Sequence, residues 1–162
     1  MQEIPNEMGQ TESDPMPHQI AETVNHLIEV CRDGQNGFEA AAKATKDTSL
    51  QAELMQYSLQ RQRFAADLEA AMYSLGEPFR HSGTVGAALH RGWMNIKAMI
   101  SDDRLAVLEE CERGEDLAIT AYRDAMSGNI GLTMGTLIES QYEQIQRVHD
   151  RVKELRDAAH AK

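Results

Sequence analysis

The sequence predicts an all-α fold: a four-helix bundle with an additional short crossover helix between the second and third long helices. Three observations predict it. Apolar residues recur every three to four positions over four long stretches, a spacing that lines them along one face of a helix. The composition favours Ala, Leu, Glu, Gln, Arg and Met, which lose least on entering a helix, and only 5% of residues are aromatic. Most of the eleven glycines and four prolines fall between the periodic stretches, as punctuation. The 162 residues suffice for one domain with its own core, assigned to residues 18–162 behind a tail at 1–17.

Residues 1–17 hold three of the prolines among Gln, Asn, Ser and Glu, without periodicity, and are expected to be disordered. Pro17 suits the first turn of the helix that follows. That first helix is expected over about His18–Lys46, with Ile20, Val24, Leu27, Cys31, Phe38 and Ala41 on its apolar face. Gly34 and Gly37 lie inside it. Each weakens a helix by about 1 kcal/mol relative to alanine, so close approach of a neighbouring helix or a local kink is expected.

Asp47-Thr48-Ser49 breaks the pattern, and Thr48 with Gln51 has the form of a capping box. The second helix should run to about Leu75, with Leu50, Leu54, Tyr57, Arg61, Phe64 and Leu68 on one face. Gly76 and Pro78 stop it. After a loop, Thr84–Ile100 reads as the crossover helix, ~25 Å long at 1.5 Å per residue, carrying Trp93 docked against the bundle. Asp102 and Asp103 place negative charge at the start of the third long helix, Leu105–Met126, which ends at Ser127-Gly128-Asn129. The last helix, about Leu132–Ala159, repeats Met134, Ile138, Gln141, Ile145, Val148, Val152 and Leu155 at helical spacing.

The charge balance excludes some partners. With 26 acidic and 16 basic side chains, a net charge of -10 disfavours nucleic acid and anionic membrane surfaces. No run of 18 apolar residues exists to span a membrane, and the N-terminus has no signal-peptide pattern, so a cytoplasmic protein is expected. Cys31 and Cys111 fall on apolar faces and are expected to be reduced and buried.

The informative stretch is the third long helix. Its face, read as Leu105, Leu108, Glu112, Glu115, Ile119, Tyr122 and Met126, is apolar except for two carboxylates three residues apart. Burying them is costly unless they are paired, hydrogen-bonded or metal-bound. Aligning helix midpoints places Gln60, Arg61 and Arg63 of the second helix and Gln141 of the fourth in the same layer, with Tyr142 and His149 flanking it.

Three readings follow. In a structural network, Arg61 or Arg63 pairs with Glu112 and Glu115, and the glutamines complete the hydrogen bonds. In a di-metal centre, iron or manganese would need Glu-x-x-His pairs. None of the six histidines has Glu three residues before it; Gln146-x-x-His149 and Asp157-x-x-His160 come nearest, which leaves Glu112, Glu115 and His149 as the candidate ligands. In the third reading the carboxylates bind a cationic ligand or do acid/base work, but no nucleophile or phosphate loop accompanies them. The network is the preferred reading. No catalytic or cofactor-binding residue is assigned and no cofactor is expected, with iron or manganese as the alternative.

The stretches GTVGAALHRGWMNIKAMI, LEECERGEDLAITAYRDA and ESQYEQIQRVHDRVKELRDAA, with DGQNGFEAAA and QRQRFAADLEAA before them, resemble a bacterial, pseudomonad-type family of small four-helix-bundle proteins within the ferritin-like group. That family is catalogued as a domain of unknown function, and the resemblance runs from about Val24 to Ala159. It implies a ferritin-like bundle in a bacterial cytoplasm. Its wider relatives include metal-binding ferritin-like proteins and stress-induced bundle proteins. Their metal ligands do not carry over, because the Glu-x-x-His pairs are missing; shared ancestry would put Arg61 or Arg63 in the space of a lost metal. The function expected is non-enzymatic: a bundle that forms a homo-oligomer, such as a dimer, or binds a protein partner, with a stress role implied by the resemblance alone. The alternative is an iron- or manganese-binding oxidase or store using Glu112 and Glu115.

Overall fold

The computed structural model describes residues 16–80, 93 and 103–162. Four helices account for nearly all of them: α1 (Pro17–Ala44), α2 (Thr48–Ser74), α3 (Arg104–Ser127) and α4 (Leu132–His160), with no strand among the described residues. The crossover helix expected at Thr84–Ile100 lies outside the described residues, apart from Trp93, as does the tail up to residue 15. No helix among the described residues is long and apolar enough to cross a membrane.

Local chemistry explains the boundaries. Pro17 opens α1, where its missing N–H costs nothing. Asp47, not Thr48, caps α2: its Oδ1 accepts from the Ser49 and Leu50 N–H groups at 3.0 and 3.1 Å. Thr48 is already helical, so the expected capping box does not form; the Gln51 amide donates to the Thr45 carbonyl at 2.6 Å instead. At the far end Gly76 takes φ 76°, a left-handed conformation that a side chain would resist. This lets Gly76 N–H and Glu77 N–H close back on the Tyr73 and Met72 carbonyls and end the helix. Asp103 caps α3 through the Leu105 and Ala106 N–H groups.

Two apolar clusters form the interior. One gathers Val24 and Leu27 of α1, Leu68 and Met72 of α2, Ala121 and Ala125 of α3, and Met134 and Ile138 of α4. The other gathers Phe38 and Ala41, Leu50 and Leu54, Val107 and Cys111, and Val148 and Val152 from the same helices. Membership fixes direction: α1 and α4 run one way, α2 and α3 the other. α2 therefore ends at one end of the bundle and α3 begins at the other. Past α2 the chain sets off beside α1, where the Arg32 guanidinium lies 4.3 Å from the Phe79 ring and Arg80 N–H donates to Asn25. At Trp93 the chain is buried against both α1 and α3.

The α3 face is turned relative to the sequence expectation. Leu105, Glu112, Ile119 and Met126 are only half-buried, while Val107, Cys111, Gly114, Ala118, Ala121 and Ala125 are buried. Those residues are small, and α3 turns that edge inward because it lets α1 and the Trp93 ring come close. A Cβ on Gly37 would lie 2.1 Å from the Trp93 ring and one on Gly114 2.2 Å from it, so the indole is held between two helix backbones. Cys31 and Cys111 are free and buried, one in each cluster.

Candidate functional site

Between the two clusters α2 turns Arg61 inward, on the same stripe as Leu54 and Leu68. Its side chain is 1% exposed, and Nη2 donates to Glu115 Oε2 of α3 at 2.5 Å. Nη1 donates to Gln60 Oε1 at 2.8 Å. The guanidinium carbon lies 5.6 and 5.7 Å from the ring centroids of Phe38 and Phe64. A planar, weakly hydrated cation beside aromatic rings loses less on burial than an ammonium would. α1 makes room with Gly34, where a Cβ would stand 3.3 Å from Arg61 Cγ.

The pair does not use all its hydrogen-bonding capacity. Arg61 Nε and Glu115 Oε1 are buried without a hydrogen-bond partner. Burial pushes the Glu115 carboxyl above the usual carboxylate range, and the neighbouring Arg61 charge opposes that rise. Beside it lies a cavity of about 10 Å³ lined by Trp93, Gly34, Gly114 and Asp33, about the volume one water molecule needs.

A second polar chain crosses the first cluster. Tyr122 Oη donates to Gln141 Oε1 at 2.7 Å, and Gln141 Nε2 donates to the Phe64 carbonyl at 3.3 Å. The single phenolic hydrogen is thereby used, so the Cys31 thiol, 3.0 Å away, is the donor to Tyr122 Oη. Burial holds Tyr122 well above its ordinary value and pushes Cys31 up to about 11. A neutral, enclosed thiol of this kind is a packing group rather than a nucleophile.

Of the residues singled out from sequence, Gln60, Arg61 and Glu115 are in direct contact, and Gln141 belongs to the neighbouring chain. The others lie elsewhere. Arg63 is exposed, because two residues along a helix turn it about 200° from Arg61. Glu112 is half-buried and accepts from Arg156 near the end of α4 rather than joining Glu115. His149 clamps α4 to α3, with Nε2 2.8 Å from Asp116 and Nδ1 3.3 Å from Asp150. Cys31, Phe38, Phe64 and buried Glu110, which Arg113 contacts, were not anticipated as polar-site partners. Their helical phase was legible, but which helices face one another was not. Among the described residues no three His, Cys, Asp or Glu side chains stand together where they could hold a metal ion.

No curated protein matches the chain. The family described as Domain of unknown function (DUF2383) matches residues 19–128, which include α1 from its third residue, all of α2 and α3, and with them Arg61, Trp93 and Glu115. That span is more than half of the sequence, so the chain belongs to this family of unknown function, DUF2383.

Proposed function

We propose that the protein is a non-catalytic, ferritin-like bundle that acts through its surface, by self-association or by binding a protein partner in the cytoplasm. The ferritin-like assignment draws on topology: α1 and α4 oppose α2 and α3, with one long connection between the second and third helices. The observation that carries the reading is the Arg61–Glu115 contact at 2.5 Å in the interior. A cation placed at Glu115 would stand against the positive charge of the Arg61 guanidinium. Asp33 lines the cavity beside the pair and His149 is taken up by Asp116 and Asp150, while the other nearby groups are the amides of Gln60 and Gln141 and the phenol of Tyr122, so among the described residues no three carboxylates, imidazoles or thiols gather as iron or manganese would need. These residues do not fit a di-metal centre. The polar layer is better read as fixing which helices pair and in what register, a role for which buried ionic groups are suited even where they add little net stability. A role in stress rests on the resemblance of the sequence to stress-induced bundles and belongs to the same proposal.

Metal analysis tests it. Protein purified without chelator, loaded anaerobically with iron(II) or with manganese(II) and desalted, should retain far less than one ion per chain. Retention of about two ions per chain, with oxygen-dependent absorbance for iron, would restore the oxidase or metal-store alternative.

A further inference from the structure

The second helix carries large apolar side chains on two sides, the outer one shared with exposed Gln56, Gln62 and Ser74. Its inner stripe, Leu50 to Met72, faces the core, yet its outer side carries Met55 at 37%, Leu59 at 43% and Tyr73 at 80% exposure, interspersed with exposed Ala52, Ala66 and Ala70. At 100° per residue these positions share one face, which spans ~32 Å from residue 52 to residue 73 at 1.5 Å per residue. The outer face of α4 differs: it presents Glu139, Glu143, Arg147, Asp150 and Glu154, all exposed.

Charge separates the two faces further. The chain carries a net charge of -10, so two copies repel over most of their surface. On the outer face of α2 the charged side chains are Arg63 and Asp67, one of each sign and one helical turn apart. The glutamates at its edges turn sideways to basic residues of the same chain, Glu69 to Arg32 of α1 and Glu53 to Arg151 of α4. This face is therefore neutral and self-complementary. If two such helices run antiparallel about a two-fold axis near residue 65, Arg63 meets the partner's Asp67 and Asp67 meets the partner's Arg63. In the same register Leu59 packs near the partner's Ala70, and Met55 near the partner's Tyr73. A two-fold interface requires that each contact occur twice, and this arrangement of charge and apolar bulk meets the requirement.

We infer that the outer face of α2 is a homodimer interface, occupied by α2 of a second copy in the antiparallel direction. The inference rests on the self-association reading above and names its surface.

Sedimentation equilibrium across a concentration series tests both and tells them apart. Wild-type protein should dimerise. Leu59→Glu and Arg63→Asp should each raise the dimer dissociation constant at least tenfold, with helical circular dichroism unchanged and, at concentrations where the wild type is monomeric, melting curves unchanged because both positions are exposed. The double swap Arg63→Asp with Asp67→Arg should restore association, since it rebuilds both pairs with their signs exchanged. A wild-type monomer at every concentration would overturn both the interface and self-association. A wild-type dimer that survives Leu59→Glu and Arg63→Asp would overturn the α2 interface alone. Failure of the double swap to recover what Arg63→Asp loses would overturn the antiparallel register.

Discussion

At the scale of single residues, the Arg61–Glu115 pair is a charge placed in the interior, out of contact with bulk water, and its energetics depend on protonation. Glu115 sits above its ordinary value of 4.5 because burial outweighs the attraction of Arg61. The folded state thus holds the proton more tightly than the unfolded chain. The stability linked to that group is complete below about pH 4.5 and is lost as pH rises through the elevated value. Arg61→Leu removes the main charge opposing this rise, so its cost should reach about 3–5 kcal/mol near pH 8 and shrink as the pH falls and the orphaned carboxyl takes up a proton. Glu115→Gln keeps an oxygen for Arg61 and cannot ionise. It should cost about 1 kcal/mol or less near pH 5 and compare better with wild type as the pH rises. Urea unfolding at three pH values measures both, and a pH-independent penalty for Arg61→Leu would contradict the buried pairing. The sequence showed that position 61 lies on the inner stripe of its helix. It could not decide between Arg61 and Arg63, or between Glu112 and Glu115. Residues near the edge of a stripe turn inward or outward according to the neighbour, and neighbours belong to the tertiary structure.

At the scale of elements, the tightest fit is made by glycines and an aromatic ring. Gly37 and Gly114 bring the backbones of α1 and α3 against the Trp93 indole, which also meets the Phe38 ring edge-on at 5.1 Å. Gly37→Ala or Gly114→Ala should expel the indole, with a red shift and increased acrylamide quenching of Trp93 emission and a loss of about 1–3 kcal/mol from overpacking. Gly34→Ala is the control. Its Cβ would come nearest to the flexible Arg61 side chain, at 3.3 Å from Cγ, rather than to the indole, so Trp93 emission should stay unchanged. Two glycines within one helix were visible in the sequence as a sign of close approach. That the approaching group is Trp93, rather than a helix backbone alone, depends on a contact between residues far apart in the chain.

At the scale of the whole molecule, the dominant long-range feature is an excess of acidic groups spread over a small helical body, with a net charge of -10. Self-repulsion of this kind lowers the stability of the compact state and is screened over about 10 Å at 0.1 M salt. The melting temperature should therefore rise as sodium chloride increases from about 10 mM to about 300 mM, where the Debye length falls toward 6 Å. A flat or falling curve would mean that cross-helix ion pairs such as Arg151–Glu53 outweigh the general repulsion.

By itself the sequence determined the helical class, the approximate limits of the four long helices and the inner stripes of α1 and α4. Each of these is a local property: periodicity, propensity and end signals act within a few residues of one another. Only the tertiary structure decided the rotation of α3, the identity of the buried pair, the chain from Cys31 through Tyr122 to Gln141, and the seat of Trp93. These depend on which faces of different helices meet. That choice minimises the cost of burying charge and leaving gaps over the whole core, and no single stretch of sequence contains it.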